Sequence, residues 1–158
     1  MGVTISITGH QHIPAEAMSY IEREIDRFLL QYRGMEVTCF SCLAAGADQL
    51  FAGKAVEAGF QLVAVIPCRG YENTFGEKDR RRYDDLLAHA CKIIDVGCHE
   101  PTPDAFLEAS ERMIDATDIV VALWDGAPGN RGGTGDSVGY ARQQGKQVIV
   151  IWPKGVLH

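Results

Sequence analysis

The chain has no apolar run near the ~20 residues needed to span a bilayer. Its N-terminus, Met1-Gly2-Val3-Thr4, lacks the charged and apolar segments of a secretory signal. A cytoplasmic protein with no membrane partner is therefore expected. Cysteine is sparse and odd in number: Cys39, Cys42, Cys68, Cys91 and Cys98. In an unexported chain this favours reduced thiols. Cys39 and Cys42 have C-x-x-C spacing, but they fall in a strand-like run, and residues three apart on a strand point to opposite faces. No second C-x-x-C or His pair completes a zinc site, so buried free thiols are expected. Positive charge is also lacking. The formal net charge is −6, which disfavours a nucleic-acid or anionic-membrane partner. The chain has no G-x-G-x-x-G in its first crossover and no G-x-x-x-x-G-K-[ST]. NAD-dependent hydride transfer and P-loop phosphoryl transfer are disfavoured accordingly, and no cofactor is expected. Linkers, low-complexity segments and internal repeats are absent as well.

What is present is an ordinary globular mix, 158 residues with 46% hydrophobic and 23% charged. Residues 1–158 are expected to form one domain that buries roughly two thirds of its unfolded surface without disulfide or metal. Apolar runs alternate with amphipathic stretches. Val3–Thr8, Val37–Leu43, Gln61–Ile66, Lys92–Val96, Asp118–Trp124 and Gln147–Trp152 read as strands, with Pro67 and Pro153 as stops. Met18, Ile21, Ile25, Phe28 and Leu29 recur at helical spacing after Pro14. Further helices are expected up to Ala58, near Asp79–Cys91, and over Pro103–Thr117 and Thr134–Gln144. Ile119–Leu123 and Val148–Ile151 are continuously apolar, which predicts burial on both faces. Strands separated by helices predict right-handed crossovers. The expected fold is α/β, a Rossmann-like doubly wound, mainly parallel sheet of five or more strands with helices on both faces.

In such sheets ligands settle beyond the carboxyl ends of the strands, where the strand order reverses. Three strand-to-helix junctions are rich in small residues: Thr8-Gly9-His10, Leu43-Ala44-Ala45-Gly46-Ala47-Asp48 and Gly132-Gly133-Thr134-Gly135-Asp136. Glycine lets backbone N–H groups approach an anion, and the helix start that follows offers unpaired donors. Three glycines within four residues exceed what one turn needs. Asp48 and Asp136 also have a bland role, because an acidic residue in a first helical turn favours the dipole. His10 and His12 form an H-x-H pair, but no carboxylate follows before Glu16, so no metal is expected. Arg80-Arg81-Arg82 lies among Glu77, Asp79, Asp84 and Asp85 and reads as a solvated helix face. Tyr71 and Tyr83 read either as stacking surfaces for a base or as packing residues.

The run Ser41–Asp48, then Gly59-Phe60 and Ala64-Val65-Ile66-Pro67, resembles the signature of the DNA-processing protein A family. Asp118–Asp125 and the Gly132–Asp136 loop resemble the LOG, or lysine-decarboxylase-like, proteins that cleave cytokinin nucleotides. Together they resemble the SLOG superfamily of Rossmann-like nucleotide binders, and in particular its small single-domain bacterial members. The resemblance implies a nucleotide ligand. It departs from the hydrolases at one point. Their Gly-Gly-x-Gly-Thr-x-x-Glu motif, placed on Gly132-Gly133-Thr134-Gly135, puts Asp136 at the threonine and Gly139 at the catalytic glutamate. Their arginine-rich helix is missing too, with Arg112 and Arg131 as stand-ins.

The expected function is binding of a nucleotide or nucleotide-sugar (phosphoribosyl) ligand by a sensor or binding module. The alternatives are a nucleotide N-glycosidase with Asp136 or Asp125 as the carboxylate near the anomeric carbon, and single-stranded DNA binding. The expected ligand and phosphate site comprises Gly9, His10, Gly46, Asp48, Gly132, Gly133, Thr134, Gly135 and Asp136, with the N–H groups of Gly133–Gly135 facing an anion. A homo-oligomer is compatible with this reading.

Overall fold

The structure is a computed structural model that describes residues 2–158. Six parallel strands form one sheet: β1 (Val3–Gly9), β2 (Val37–Ser41), β3 (Gln61–Cys68), β4 (Lys92–Cys98), β5 (Ile119–Leu123) and β6 (Gln147–Val150). Five α-helices connect them: α1 (Ala15–Leu30), α2 (Ala47–Glu57), α3 (Glu77–His89), α4 (Pro103–Asp115) and α5 (Thr134–Gln143). A 3₁₀ turn at Tyr71–Thr74 interrupts the segment before α3. Among the described residues no helix is long and apolar enough to cross a membrane.

The strand order is β4-β3-β2-β1-β5-β6. The chain steps outward from β1 to β4, and α4 then carries it back to lay β5 against the free side of β1. The order reverses between β1 and β5, and a crevice opens there at the carboxyl ends. The doubly wound parallel sheet expected from the sequence is thus observed. α1 and α2 share one apolar cluster with β1, β2 and β5, built around Ile5, Ile7, Ile21, Ile25 and Phe51. On the other face, α4 packs Ala109 and Met113 on Cys42 and Val65, while Ile114, Val120 and Ala141 join α4 and α5 to β5. Each fully buried side chain of this size contributes ~1.5–3 kcal/mol of transfer free energy.

Three expectations are revised. β3 runs through Pro67 to Cys68, because the ladder shifts register between Ile66 and Cys68, and a bulge accommodates the missing N–H. β5 is buried along its whole length, whereas β6 is an edge strand, ends at Val150 and leaves that residue exposed. A continuous apolar run therefore marked a central strand in one case and an edge strand in the other. β2 stops at Ser41, because Leu43 turns into the left-handed region with φ 58°.

Cys39 and Cys42 enter different clusters, as their spacing predicts, and all five cysteines are free. Burial pushes the Cys39 thiol up to about 12 and holds that of Cys42 well above its ordinary value.

Candidate functional site

A cavity of about 860 Å³ opens at the carboxyl ends of β1, β2 and β5. It exists because three loops approach one another closely. The Ala47 N–H donates to the His10 carbonyl (3.0 Å). Gly46, with φ +80°, lies against the carbonyls of His10 and Gln11, where any Cβ would collide with them. Gly9 faces the Ala47 side chain and the Leu123 carbonyl, again without room for a Cβ. These two glycines let the first and second junctions touch. Gly9 also lines the cavity wall and Gly46 does not.

The second junction is held by buried polar groups. The Leu43 N–H donates to Ser41 Oγ (3.0 Å), and Gln49 Nε2 donates to the carbonyls of Leu43 (3.2 Å) and Asp79 (3.0 Å). These bonds hold Leu43 in a conformation that costs about 1–3 kcal/mol. The turn also aims the Ala44 N–H at Asp48 Oδ2 (3.3 Å). Asp48 lines the cavity and is 8% exposed. Burial pushes its carboxyl up to about 7, against the opposing pull of the Ala44 amide. No salt bridge among the described residues reaches it.

The third junction separates the glycines by role. Gly132, with φ +76°, would drive a Cβ into the Pro103 carbonyl. Its N–H donates to Asp136 Oδ2 (2.8 Å). The Gly133 N–H donates to the Asn130 carbonyl (3.0 Å), and a Cβ there would lie 2.9 Å from that same oxygen. Gly133 therefore has its donor turned into the loop rather than toward an anion. The N–H groups of Thr134, Gly135 and Asp136, the first turn of α5, take no protein acceptor among the described residues. The Thr134 hydroxyl has no protein partner either, and Thr134 and Gly135 both line the cavity. A Cβ on Gly135 would meet only ordinary contacts, 3.8 Å from Trp124, the Ala127 carbonyl and the Gly129 nitrogen. The fold does not require a glycine at position 135.

Asp136 is exposed, ties down Gly132 and does not line the cavity. Gly139 is exposed on the outer side of α5. The motif position occupied by glutamate in the hydrolases thus carries no carboxylate here. Arg112 is off the cavity wall. Arg131 is on its rim and pairs with Asp104 at the start of α4 (2.5 Å).

His10 is in the wall beside Asp125, the second carboxylate weighed for the hydrolase reading. Its Nε2 lies 3.2 Å from the Asp125 amide nitrogen and 3.3 Å from Asp125 Oδ1, so it accepts from the amide when deprotonated and donates to the carboxylate when it carries the proton. Burial, then the neighbouring His158, lowers the His10 pKa. The Asp125 carboxyl is raised by burial, but amide bonds from Ala127 and His158 and the pairing with His10 outweigh this and lower it. Ligand atoms of His10, Asp125 and His158 lie within 4.8 Å of one another. The two imidazoles are stacked at 3.6 Å and 9°, however, which sends their in-plane lone pairs along parallel planes rather than to one ion. His12 is exposed and off the wall. Tyr71 and Tyr83 are buried and pack edge-on at 5.8 Å, and the Tyr71 hydroxyl donates to the Cys42 carbonyl (2.9 Å). Tyr83 is a packing residue; Tyr71 is packed too, but also lines the cavity.

The fold recurs in solved structures. DNA processing protein A from Streptococcus pneumoniae superposes with a TM-score of 0.67 at 19% identity, over 99% of this chain and 52% of that one. The Helicobacter pylori protein of the same name, in a structure described by its single-stranded DNA binding mode, gives 0.68 at 16% identity, over 94% and 64%. The structural-genomics target TM1055 gives 0.59 at 18%, over 92% and 72%. At these identities the likeness is one of fold, a parallel α/β sheet shared with the DNA processing proteins. The chain spans between half and two thirds of the two DNA processing proteins. No family model and no curated protein matches it. In this framework the Leu43–Asp48 junction was legible from its run of small residues. Ser41 and Gln49 gave no such signal, because their roles depend on the turn at Leu43 and on the Asp79 carbonyl.

Proposed function

We propose that the cavity binds a nucleotide or phosphoribosyl ligand with its phosphate at the first turn of α5, and that the protein acts as a binding module. The observation that carries this reading is the contrast between two helix starts. α2 pairs its Ala47 amide with the His10 carbonyl and its Gln49 amide with the Ala44 carbonyl. α5 leaves the amides of Thr134, Gly135 and Asp136 and the threonine hydroxyl without a partner among the described residues, with Thr134 and Gly135 in the cavity wall. Unpaired first-turn donors with the positive end of a helix dipole attract a phosphate. The free thiols suit a cytoplasmic setting.

A binding role rather than N-glycoside hydrolysis is supported by the placement of Asp136, whose carboxylate faces the loop amide of Gly132 instead of the cavity. The likeness to a DNA processing protein with a single-stranded DNA binding mode speaks for a nucleic-acid ligand, but the net charge of −6 opposes it.

Thermal shift and calorimetry with ribose 5-phosphate and nucleoside 5′-monophosphates test the reading, with chromatography for released base and a salt-dependent gel shift run in parallel. The expected result is saturable binding of monophosphates, weak or no binding of the matching nucleosides, and no released base. Equal binding of nucleosides and nucleotides would place recognition away from α5. Base release that is lost in Asp136→Asn would establish the hydrolase instead.

A further inference from the structure

We propose that Asp48 is the specificity-determining residue of this site and receives the amino-bearing edge of a nucleobase, so that the ligand is a nucleoside 5′-monophosphate with an exocyclic amine. The inference rests on the phosphate position proposed above.

A carboxylate is a poor neighbour for a phosphate, so Asp48 must serve another part of the ligand. It is nearly buried, opens into the cavity, has one amide on Oδ2, and has no hydrogen bond to Oδ1 from any described residue. Its Oδ1 is open to the cavity rather than sealed in the core, so a donor on a bound ligand can reach it. The sheet order sets the distance. Asp48 follows β2 and the α5 amides follow β5, with β1 between them. Two strand spacings amount to about 10 Å, and the offset of α2 and α5 to opposite sheet faces adds to that. A ribose phosphate is too short to bridge this span, whereas a ribose phosphate with its base bridges it. The wall beside Asp48 is apolar and aromatic. Tyr71 reaches the Cys42 carbonyl, and Phe75 and Phe106 pack on Tyr71 at 5.2 and 6.1 Å. All three line the cavity. An apolar surface with one acceptor at its edge matches a flat heterocycle that carries N–H donors.

The test measures dissociation constants at pH 8 for ribose 5-phosphate, AMP, CMP, IMP and UMP with wild type, Asp48→Ala and Asp48→Asn. Wild type should bind AMP or CMP at least tenfold more tightly than IMP, UMP and ribose 5-phosphate. In Asp48→Ala that advantage should vanish while ribose 5-phosphate binding stays within twofold. Asp48→Asn keeps the shape and an acceptor for the Ala44 amide but presents an amide donor, so preference should move toward the keto bases IMP and UMP. A structural role would not produce that inversion. If Asp48→Ala weakens ribose 5-phosphate as much as AMP, Asp48 serves the ribose or the loop and the inference is overturned. If wild type does not discriminate among the bases, it is overturned while the phosphate reading stands. If neither ribose 5-phosphate nor any nucleotide binds, both fall together.

Discussion

Gly135→Ala should stabilise the protein and weaken ligand binding by about tenfold or more. Gly135 is the second residue of α5, where alanine is favoured over glycine by up to about 1 kcal/mol. The added methyl meets Trp124, Ala127 and Gly129 at 3.8 Å, an ordinary van der Waals distance, so no steric cost offsets that gain. On the ligand side, the methyl enters the wall where the amides of Thr134 and Gly135 are exposed. Loss of one or two hydrogen bonds to a charged phosphate, at about 1.5–3 kcal/mol each, corresponds to a weakening of about tenfold to about 10⁴-fold. The assay pairs a denaturant melt with calorimetry against a nucleoside monophosphate. Gly139→Ala is the control: it is exposed on the same helix, has nothing within contact distance and does not line the cavity. It should gain similar stability with unchanged affinity. Gly133→Ala should instead destabilise, because its Cβ would sit 2.9 Å from the Asn130 carbonyl. Wild-type affinity in Gly135→Ala, or a loss of stability beyond about 1 kcal/mol, would refute the assignment of this glycine to the ligand.

Asp48→Asn should stabilise the unliganded protein more at pH 8 than at pH 5. Burial raises the folded-state pKa from 3.8 to about 7, so the native state holds its proton longer than the unfolded chain does. Stability is therefore lost as pH rises between those values and is flat above them, by at most about 4 kcal/mol in total. The titratable groups around the carboxyl are Cys42, Tyr71 and Asp79. Urea melts should show a gain about 2 kcal/mol larger at pH 8 than at pH 5, and an equal gain at both would mean that Asp48 titrates normally. Thiol labelling under native conditions should modify exposed Cys91 first, then Cys98, with Cys39, Cys42 and Cys68 reacting only after unfolding; rapid reaction of Cys39 would show that β2 is not packed as described.

Several features of this protein follow from the sequence alone. The helical spacing of Ile21, Ile25 and Phe28, the run Ile119–Leu123 and the glycine-marked junctions fix which segments are helix, strand or loop. Those patterns depend on neighbours one to four positions apart along the chain. The strand order depended on tertiary structure, and so did the choice of β5 rather than β6 as the fully buried strand. The roles of the site residues were equally out of reach, because each is set by a partner distant in sequence. Gly132 is constrained by the carbonyl of Pro103, Gly46 by those of His10 and Gln11, and His10 by Asp125. Asp48 and Asp136 look alike in sequence, each an acid in the first turn of a helix after a glycine-rich loop. Only the packing of β2 beside β1 buries the first against the cavity, while the fold of its own loop turns the second away to cap Gly132. Local periodicity sets the elements, but whether a carboxylate faces ligand or loop is decided by contacts that exist only once the sheet has assembled.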